Sequence, residues 1–252
     1  MKLLFLGSGS AFTLGGENWQ SNMVLESPSG KRLLIDCCGD IRFSLAEQGL
    51  AARDIDAIYI SHLHADHVGG VEWLGFSTHF SPNGARPALF GSDVVLAELW
   101  DHSLRGGMQS IQGAKASIST YFDVRPVAGE GQFNWEGATF QLIRVQHVDD
   151  GQRQMLAFGL NFNLNGKNAL LTTDTQFTPQ HLVKQFGAAD VIFHDCETSQ
   201  FPSTVHAHYN DLKSLPADIR AKTWLYHYQP GSLPDAIADG FLGFVTKGQV
   251  FT

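Results

Sequence analysis

The chain has 252 residues, with 17 Lys or Arg and 25 Asp or Glu, so its formal net charge is −8. Hydrophobic residues make up 43% and charged residues 17%, a composition typical of a globular protein rather than a disordered one. The negative charge argues against a long nucleic-acid partner, which needs many cationic side chains to neutralise its phosphates. It does not exclude a small phosphate-bearing molecule, because a binding site can supply its own cation.

Length and cysteine content favour one cytoplasmic domain. An α/β domain often reaches about 250 residues, so residues 1–252 are predicted to form a single unit. No stretch approaches the roughly 18–20 apolar residues of a spanning helix, and we expect no membrane partner. The apolar start, residues 1–6, is shorter than the core of a secretory signal and is predicted to be a buried strand. Three cysteines, two of them adjacent, favour a reducing compartment over a disulfide framework.

Hydrophobic periodicity predicts short strands interleaved with a few helices. In the first half, strands are predicted at 2–6, 23–26, 32–36, 57–60 and 87–90, and helices at 41–48, 68–80 and from 93 to about 104. Residues 105 to about 132 lose periodicity and are predicted to be an irregular lid or dimer segment. In the second half, strands are predicted at 139–146, 155–163, 168–172, 191–193 and 224–226, with a helix opening at 178–179. This order favours an α/β protein with two sheets and helices outside them.

Residues 61–70 carry four potential metal ligands directly after the predicted strand 57–60. His62 and His64 lie two apart on an extended segment and point to the same side. Asp66 and His67 lie where the chain bends into the next helix, so they can face a second point nearby. Imidazole with carboxylate suits zinc, with manganese or iron as alternatives. A solvated polar loop is the other interpretation, and it explains this whole pattern poorly.

The pattern His-x-His-x-Asp-His resembles the signature of the metallo-β-lactamase superfamily, which implies a four-layer αββα sandwich. In that family the remaining ligands arrive singly at the ends of later strands, as His147, Asp174 and His227 do here. The resemblance implies two divalent metal ions, most simply zinc, with manganese as the alternative. The implied ligands are His62, His64 and His147 for one ion, Asp66, His67 and His227 for the second, and Asp174 as a bridge.

Asp36 ends an earlier predicted strand and matches the aspartate that, in this superfamily, orients a metal-binding histidine. A turn cap is its alternative role. A dinuclear site lowers the pKa of a bound water towards about 7 and stabilises attacking and leaving oxygens, which indicates hydrolysis of an ester or phosphoester. An electron-transfer member of the superfamily would need a flavin domain, for which the chain has no spare length.

Residues 7–12 and 33–37 resemble the phosphodiesterase branch typified by RNase Z, the tRNA 3′-processing endonuclease. Residues 194–198 and 205–208 resemble its paired Glu and His motifs. The resemblance implies that His206 protonates the leaving oxygen, with His208 as a rival, and that Glu197 contributes to the substrate site. Either histidine could instead be a surface residue.

A tRNA 3′ endonuclease is the alternative function, but its basic arm has no counterpart in the sequence. Residues 105–131 contain only three cationic side chains, Arg105, Lys115 and Arg125.

Residues 36–45, 122–124 and 224–231 resemble the anti-Pycsar phosphodiesterases of phages and bacteria, and the likeness extends almost end to end. It implies hydrolysis of 3′,5′-cyclic nucleotides to nucleoside monophosphates with little base preference, in the cytoplasm of the cell or of the phage's host. It also implies a homodimer whose partner subunit helps to cover the site. Four aromatic residues are candidates for stacking on the base: Phe12, Trp19, Tyr121 and Trp135.

Two further classes of function are weaker. A lactonase or thioesterase on the same scaffold would leave Glu197 and His206 without an obvious task. A metal-binding sensor, or a protein that only sequesters nucleotides, would not need ligands able to activate water.

Overall fold

The computed structural model describes residues 1–82 and 84–252. The strands are, in chain order, β1 (Lys2–Gly7), β2 (Asn22–Glu26), β3 (Arg32–Ile35), β4 (Ala57–Ile60), β5 (Ala88–Ser92), β6 (Ser110–Ile111), β7 (Ala114–Lys115), β8 (Asp123–Val127), β9 (Gln132–Trp135), β10 (Ala138–Val145), β11 (Ala157–Leu164), β12 (Lys167–Leu171), β13 (Val191–Asp195), β14 (Thr223–Tyr226), β15 (Gly243–Phe244) and β16 (Val250–Phe251).

The helices are short. They are α1 (Ile41–Glu47), α2 (Ala65–Val68), α3 (Val71–His79), α4 (Asp93–Glu98), α5 (Arg105–Met108), α6 (Ile118–Tyr121), α7 (Val183–Ala188), α8 (Tyr209–Leu212) and α9 (Ala217–Arg220). Two 3₁₀ turns, Ala52–Asp54 and Pro179–His181, and a π-helical turn, Leu99–Leu104, complete the set. Within the described residues, no helix combines the length and the apolar character that a membrane span requires.

The described strands form two seven-stranded sheets and the small hairpin β6–β7. The first sheet has the order β16-β1-β2-β3-β4-β5-β8 and the second has the order β15-β14-β13-β12-β11-β10-β9. In the first sheet, β3, β4, β5 and β8 run parallel, and in the second, β12, β13, β14 and β15 run parallel. Parallel strands place their carboxyl ends at one edge, so each sheet presents several strand ends together.

The two sheets pack face to face through aromatic rings. Phe5 of β1 lies 5.4 Å from Phe193 of β13, and Phe90 of β5 lies 4.2 Å from Phe133 of β9, measured between ring centroids. On the outer face of the second sheet, residues of β12 to β14 form a separate apolar cluster with α7, α8 and α9. Buried residues of α1, α3 and α4 join the main core with the first sheet. The predicted four-layer αββα sandwich is confirmed.

Residues 105–132 differ from the prediction of an irregular segment. They form α5, the β6–β7 hairpin, α6 and β8, and β8 pairs in parallel with β5 at the edge of the first sheet. Four of the five residues of β8 are at least partly exposed, and it contains Pro126. Charged residues and proline are common on edge strands, so the strand shows no apolar alternation in sequence.

Candidate metal centre

Each predicted metal ligand lies at or just beyond the carboxyl end of a strand. His62 and His64 follow β4, Asp66 and His67 lie in the short helix α2, His147 follows β10, Asp174 follows β12, and His227 follows β14. The ligands therefore come from both sheets, and they meet where the strand ends of the two sheets meet.

Backbone conformation at three strand ends is unusual. Asp36, Thr173 and His227 have φ angles of 59°, 54° and 68°, in the left-handed region that non-glycine residues rarely adopt. Such residues cost of order 1–3 kcal/mol each and cluster at functional sites. Here they lie where β3, β12 and β14 turn into the loops that carry the site.

Three imidazole nitrogens converge in the first ligand group. His64 Nδ1 lies 3.2 Å from His62 Nε2 and 3.0 Å from His147 Nε2. Asp174 Oδ2 lies 3.7 Å from His62 Nε2 and 3.8 Å from His147 Nε2. Tetrahedral zinc, with Zn–N bonds of about 2.0–2.1 Å, separates its ligand atoms by roughly 3.3 Å. The spacing of these nitrogens fits such an ion.

The second ligand group combines two carboxylates with two histidines. Asp66 Oδ2 lies 3.3 Å from both His67 Nε2 and His227 Nε2. Asp174 Oδ2 lies 3.1 Å from His67 Nε2 and 3.5 Å from His227 Nε2. In each group the ligand atoms lie within 4.8 Å of one another, and Asp174 belongs to both groups.

Asp174 gives the clearest sign that the residues fit cations. It is buried, and its Oδ1 has no hydrogen-bond partner among the described residues. An unsatisfied carboxylate oxygen away from water is costly unless a positive charge or a donor reaches it. A divalent ion shared through Asp174 would satisfy it.

Burial sets the protonation of the first group. It lowers the pKa of all three imidazoles, most strongly for the fully enclosed one, which favours the neutral form that binds metal. These histidines are His62, His64 and His147.

Opposite charges set the protonation of the second group. Burial by itself would lower the pKa of His67 and His227, but neighbouring carboxylates, Asp174 first, outweigh it and raise both values well above the usual range. The pKa of Asp66 and that of Asp174 are lowered in spite of burial, because these histidines lie beside them. Both carboxylates are thus ionised and able to bind a cation.

Hydrogen bonds orient the ligand histidines. Asp36 Oδ2 accepts from His67 Nδ1 at 2.8 Å and from the Ser61 hydroxyl at 2.8 Å. The backbone carbonyl of Val205 accepts from His147 Nδ1 at 2.8 Å. Such contacts fix the tautomer of a ligating imidazole and point its other nitrogen at the metal. Asp36 is therefore placed to hold the ring of His67 from its Nδ1 side.

His206 lies against the second ligand group. Its Nδ1 donates to Asp195 Oδ2 at 2.8 Å, and its ring stacks on His227 with centroids 4.7 Å apart. Asp195 is buried at the end of β13, and its other oxygen lies 3.3 Å from His227 Nδ1. The sequence analysis did not identify Asp195 as a site residue. Asp195 is the last residue of the buried strand β13, and Asp36 and Asp174 lie just beyond the ends of β3 and β12.

His208, the rival of His206, is engaged elsewhere. Its Nε2 donates to the carbonyl of Ser199 at 3.0 Å, and its Nδ1 accepts from the backbone N–H of Asn210 at 3.3 Å. Both ring nitrogens therefore serve the backbone around the start of α8. The geometry favours His206 as the histidine available to a substrate.

Glu197 holds the loop beside the site. Its carboxylate accepts from the Ser199 hydroxyl at 2.7 Å and from the backbone N–H and hydroxyl of Ser203 at 2.9 and 3.0 Å. It borders the cavity, but these contacts occupy its oxygens. The carboxylate that contacts His206 is that of Asp195 and not that of Glu197.

A cavity of about 370 Å³ opens over the predicted metal ligands. Its wall includes residues of both ligand groups, together with His206 and Phe12. Pockets that bind small molecules typically measure roughly 300–1,000 Å³, so this one suits a compact substrate.

Comparison with known protein families gives one match along nearly the whole chain. The family model described as "Anti-Pycsar protein Apyc1" matches residues 1–251. A protein of that name from Paenibacillus harenae is 35% identical over 230 residues, covering 90% of each chain. Another from Paenibacillus xerothermodurans is 34% identical over 234 residues, covering 90% of this chain and 88% of the relative.

Solved structures agree on the fold. The metallo-β-lactamase fold protein YhfI from Bacillus subtilis has a TM-score of 0.75 at 16% identity, covering 99% of this chain and 98% of its own. A diphosphatase of the PhnP family has a TM-score of 0.75 at 22% identity, covering 100% and 97%. The short form of human tRNase Z has a TM-score of 0.72 at 17% identity, covering 100% and 99%. The chain therefore has the metallo-β-lactamase fold.

Proposed function

The chain belongs to the anti-Pycsar protein Apyc1 family, and on that premise we propose that it is a metal-dependent phosphodiesterase. In this proposal it hydrolyses 3′,5′-cyclic nucleotides to nucleoside monophosphates and so counteracts cyclic-nucleotide anti-phage signalling. The observation that carries the proposal is the pair of ligand groups joined through Asp174.

We propose that His62, His64, His147 and Asp174 hold one divalent ion and that Asp66, His67, His227 and Asp174 hold a second. The buried, unpartnered Oδ1 of Asp174 supports this assignment. Zinc is the ion that this mixture of imidazoles and carboxylates suits best, and manganese is the alternative. When bound, such a pair supplies a nucleophile at neutral pH and neutralises the charge that develops on the phosphoryl oxygens.

His206 is proposed to protonate the ribose oxygen that leaves phosphorus. Because Asp195 accepts the Nδ1 hydrogen, Nε2 is the nitrogen left to deliver a proton. Burial by itself would lower the pKa of His206, but the nearby Asp195 carboxylate outweighs burial and raises the pKa above its usual value, which favours the protonated ring. An alkoxide is a poor leaving group, and a well-placed acid typically contributes about 10²–10⁴-fold in rate.

The size and charge of the protein favour a small substrate over tRNA. The cavity over the ligands measures about 370 Å³, and the formal net charge of the chain is −8. A long polyanion would require a broad cationic surface, whereas a cyclic nucleotide carries one phosphate that the bound cations can neutralise.

The homodimer and the cytoplasmic location implied by the family resemblance belong to the proposal as well. A partner subunit would help to close the cavity, and cyclic-nucleotide signals are made inside the infected cell. Light scattering coupled to size-exclusion chromatography should give twice the mass of the 27.6 kDa chain. A monomeric mass would remove the dimer from the proposal.

The test is a panel of cyclic AMP, GMP, CMP and UMP, incubated with purified protein and zinc or manganese and followed by chromatography. We expect the matching nucleoside monophosphates as products. Asp174→Ala serves as the inactive control, and its metal content should fall. Failure to turn over any of the four, together with cleavage of a tRNA precursor, would overturn the proposal in favour of the endonuclease.

A further inference from the structure

We infer that the phenyl ring of Phe12 is the platform on which the nucleobase of the substrate stacks. The inference rests on the proposed function and adds to it the side chain that holds the base. If Phe12 is this platform, cyclic nucleotides should bind without strong base preference, because every base presents an aromatic face to a ring.

Phe12 is exposed and borders the metal centre. Its side chain is 84% exposed, and it lines the 370 Å³ cavity together with Asp174 and His206. With Gln229 it also lines a second cavity of about 480 Å³ beside the first. The two cavities share this wall. A cyclic nucleotide whose phosphate lies over the predicted metal ligands can therefore place its base across the Phe12 ring.

The other three aromatic candidates are buried or make contacts away from the cavity. Tyr121 is buried and its hydroxyl donates to the carbonyl of Met108, and Trp135 is buried in the core. Trp19 stacks on Phe43, with centroids 5.9 Å apart, and its indole N–H donates to Glu47. Of the four residues considered from sequence, Phe12 has a free face next to the site.

The backbone around Phe12 is held in place. The N–H of Ser10 donates to the carbonyl of Tyr228 at 3.0 Å, and the Gln20 side chain donates to the carbonyl of Ala11 at 2.8 Å. The N–H of Thr13 donates back to the carbonyl of Ser10 at 3.1 Å, which closes a turn around Phe12. Because the backbone is held before binding, only the side-chain rotamer of Phe12 has to be ordered when a base stacks on its ring.

A second copy of the chain is the competing occupant, because Leu14, on the same loop, is also exposed. The base is favoured because Phe12 lines the cavity that contains the metal ligands, whereas Leu14 lines only the neighbouring one.

The experiment compares Phe12→Ala with Phe201→Ala, a matched control. Phe201 is 81% exposed and lies in the loop beside the site, but it does not line the cavity. Steady-state kinetics are measured on the four cyclic nucleotides and on a base-free ribose 3′,5′-cyclic phosphate. We expect Phe12→Ala to raise KM for every cyclic nucleotide by about tenfold, while kcat stays within about twofold of the wild type. The KM for the base-free substrate should not change. Phe12→Tyr should restore KM, and Phe201→Ala should match the wild type.

An unchanged KM in Phe12→Ala, or an equal rise for the base-free substrate, would overturn the inference while leaving the proposed function intact. Conversion of a dimeric protein to a monomer by Phe12→Ala would overturn it in favour of the second copy. If the wild type hydrolyses none of the cyclic nucleotides, the proposed function itself fails.

Discussion

Two histidines that lie two residues apart, His206 and His208, make different contacts. His206 is held by a buried carboxylate beside the metal ligands, and His208 is held by backbone groups of the neighbouring loop. In the proposed mechanism the first arrangement prepares a proton for the substrate, whereas the second stabilises the start of a helix.

His206→Ala should reduce kcat on cyclic AMP by about 10²–10⁴-fold, because the leaving ribose oxygen then departs without a proton. The loss should be much smaller on bis(4-nitrophenyl) phosphate, whose leaving group is stable as an anion. His208→Ala is the control, and it should keep its kcat while losing about 1 kcal/mol of stability as a helix cap. Equal losses on both substrates would contradict the acid role.

Asp195→Asn should also lower kcat on cyclic AMP at saturating zinc, because a neutral amide no longer supplies the negative charge that stabilises the protonated imidazole of His206. The bound metal, measured by atomic emission, should stay close to the wild-type amount, unlike in Asp174→Ala. If Asp195→Asn keeps full kcat, Asp195 only packs against His206 and does not position it.

At the level of residues, candidate metal ligands could be identified from the sequence, whereas not all of the residues that contact them could. Four ligands fall in one short segment after a buried strand, and that spacing is informative by itself. Asp195 was missed because an aspartate at a strand end is usually a cap or a solvated residue. Only the folded chain brings it within 2.8 Å of His206.

At the level of elements, the packing of β11 against β12 determines where Asp174 lies. Gly159 of β11 has no room for a side chain, because a Cβ there would lie 2.5 Å from the carbonyl oxygen of Leu171 and 2.7 Å from that of Thr172. Those carbonyls belong to the strand end that leads to Asp174.

Gly159→Ala should therefore destabilise the protein by about 1–3 kcal/mol and weaken metal binding, because the end of β12 must move. Urea unfolding and a zinc titration would measure the two effects. Gly187→Ala is the control, since a Cβ at that helical position meets nothing within 4 Å. It should be neutral or stabilising by up to about 1 kcal/mol. Zinc affinity equal to the wild type in Gly159→Ala would show that the site tolerates movement of β12.

Element types were predictable where one face of a strand or helix is buried. The buried residues of α3 recur at the predicted helical spacing, at Val71, Leu74, Gly75 and Thr78. The edge strand β8 was not predictable, because its exposed charges and Pro126 remove the apolar pattern. Its place is set by pairing with β5, which a sequence pattern does not encode locally.

At the level of the whole molecule, the candidate metal centre lies between two sheets that otherwise meet through apolar packing. His62, His64 and His67 come from the first sheet's side, and His147, Asp174 and His227 come from the second. Ions bound between them would bind the folded chain and not the unfolded one, so they would stabilise the pairing of the two sheets.

Removal of metal should consequently lower Tm as well as abolish turnover. An ion present at 100 times its Kd contributes about 2.7 kcal/mol, and a domain of roughly 250 residues changes its Tm by about 2–4 °C per kcal/mol. Two ions should thus raise Tm by about 10–20 °C over protein treated with a chelator, measured by scanning calorimetry. Zinc added back should restore both Tm and hydrolysis of cyclic AMP. In Asp174→Ala, the difference in Tm between chelator-treated and untreated protein should be smaller, because this variant lacks the carboxylate common to both ligand groups. Identical Tm values for treated and untreated wild type would mean that the seven side chains do not hold ions in the folded protein.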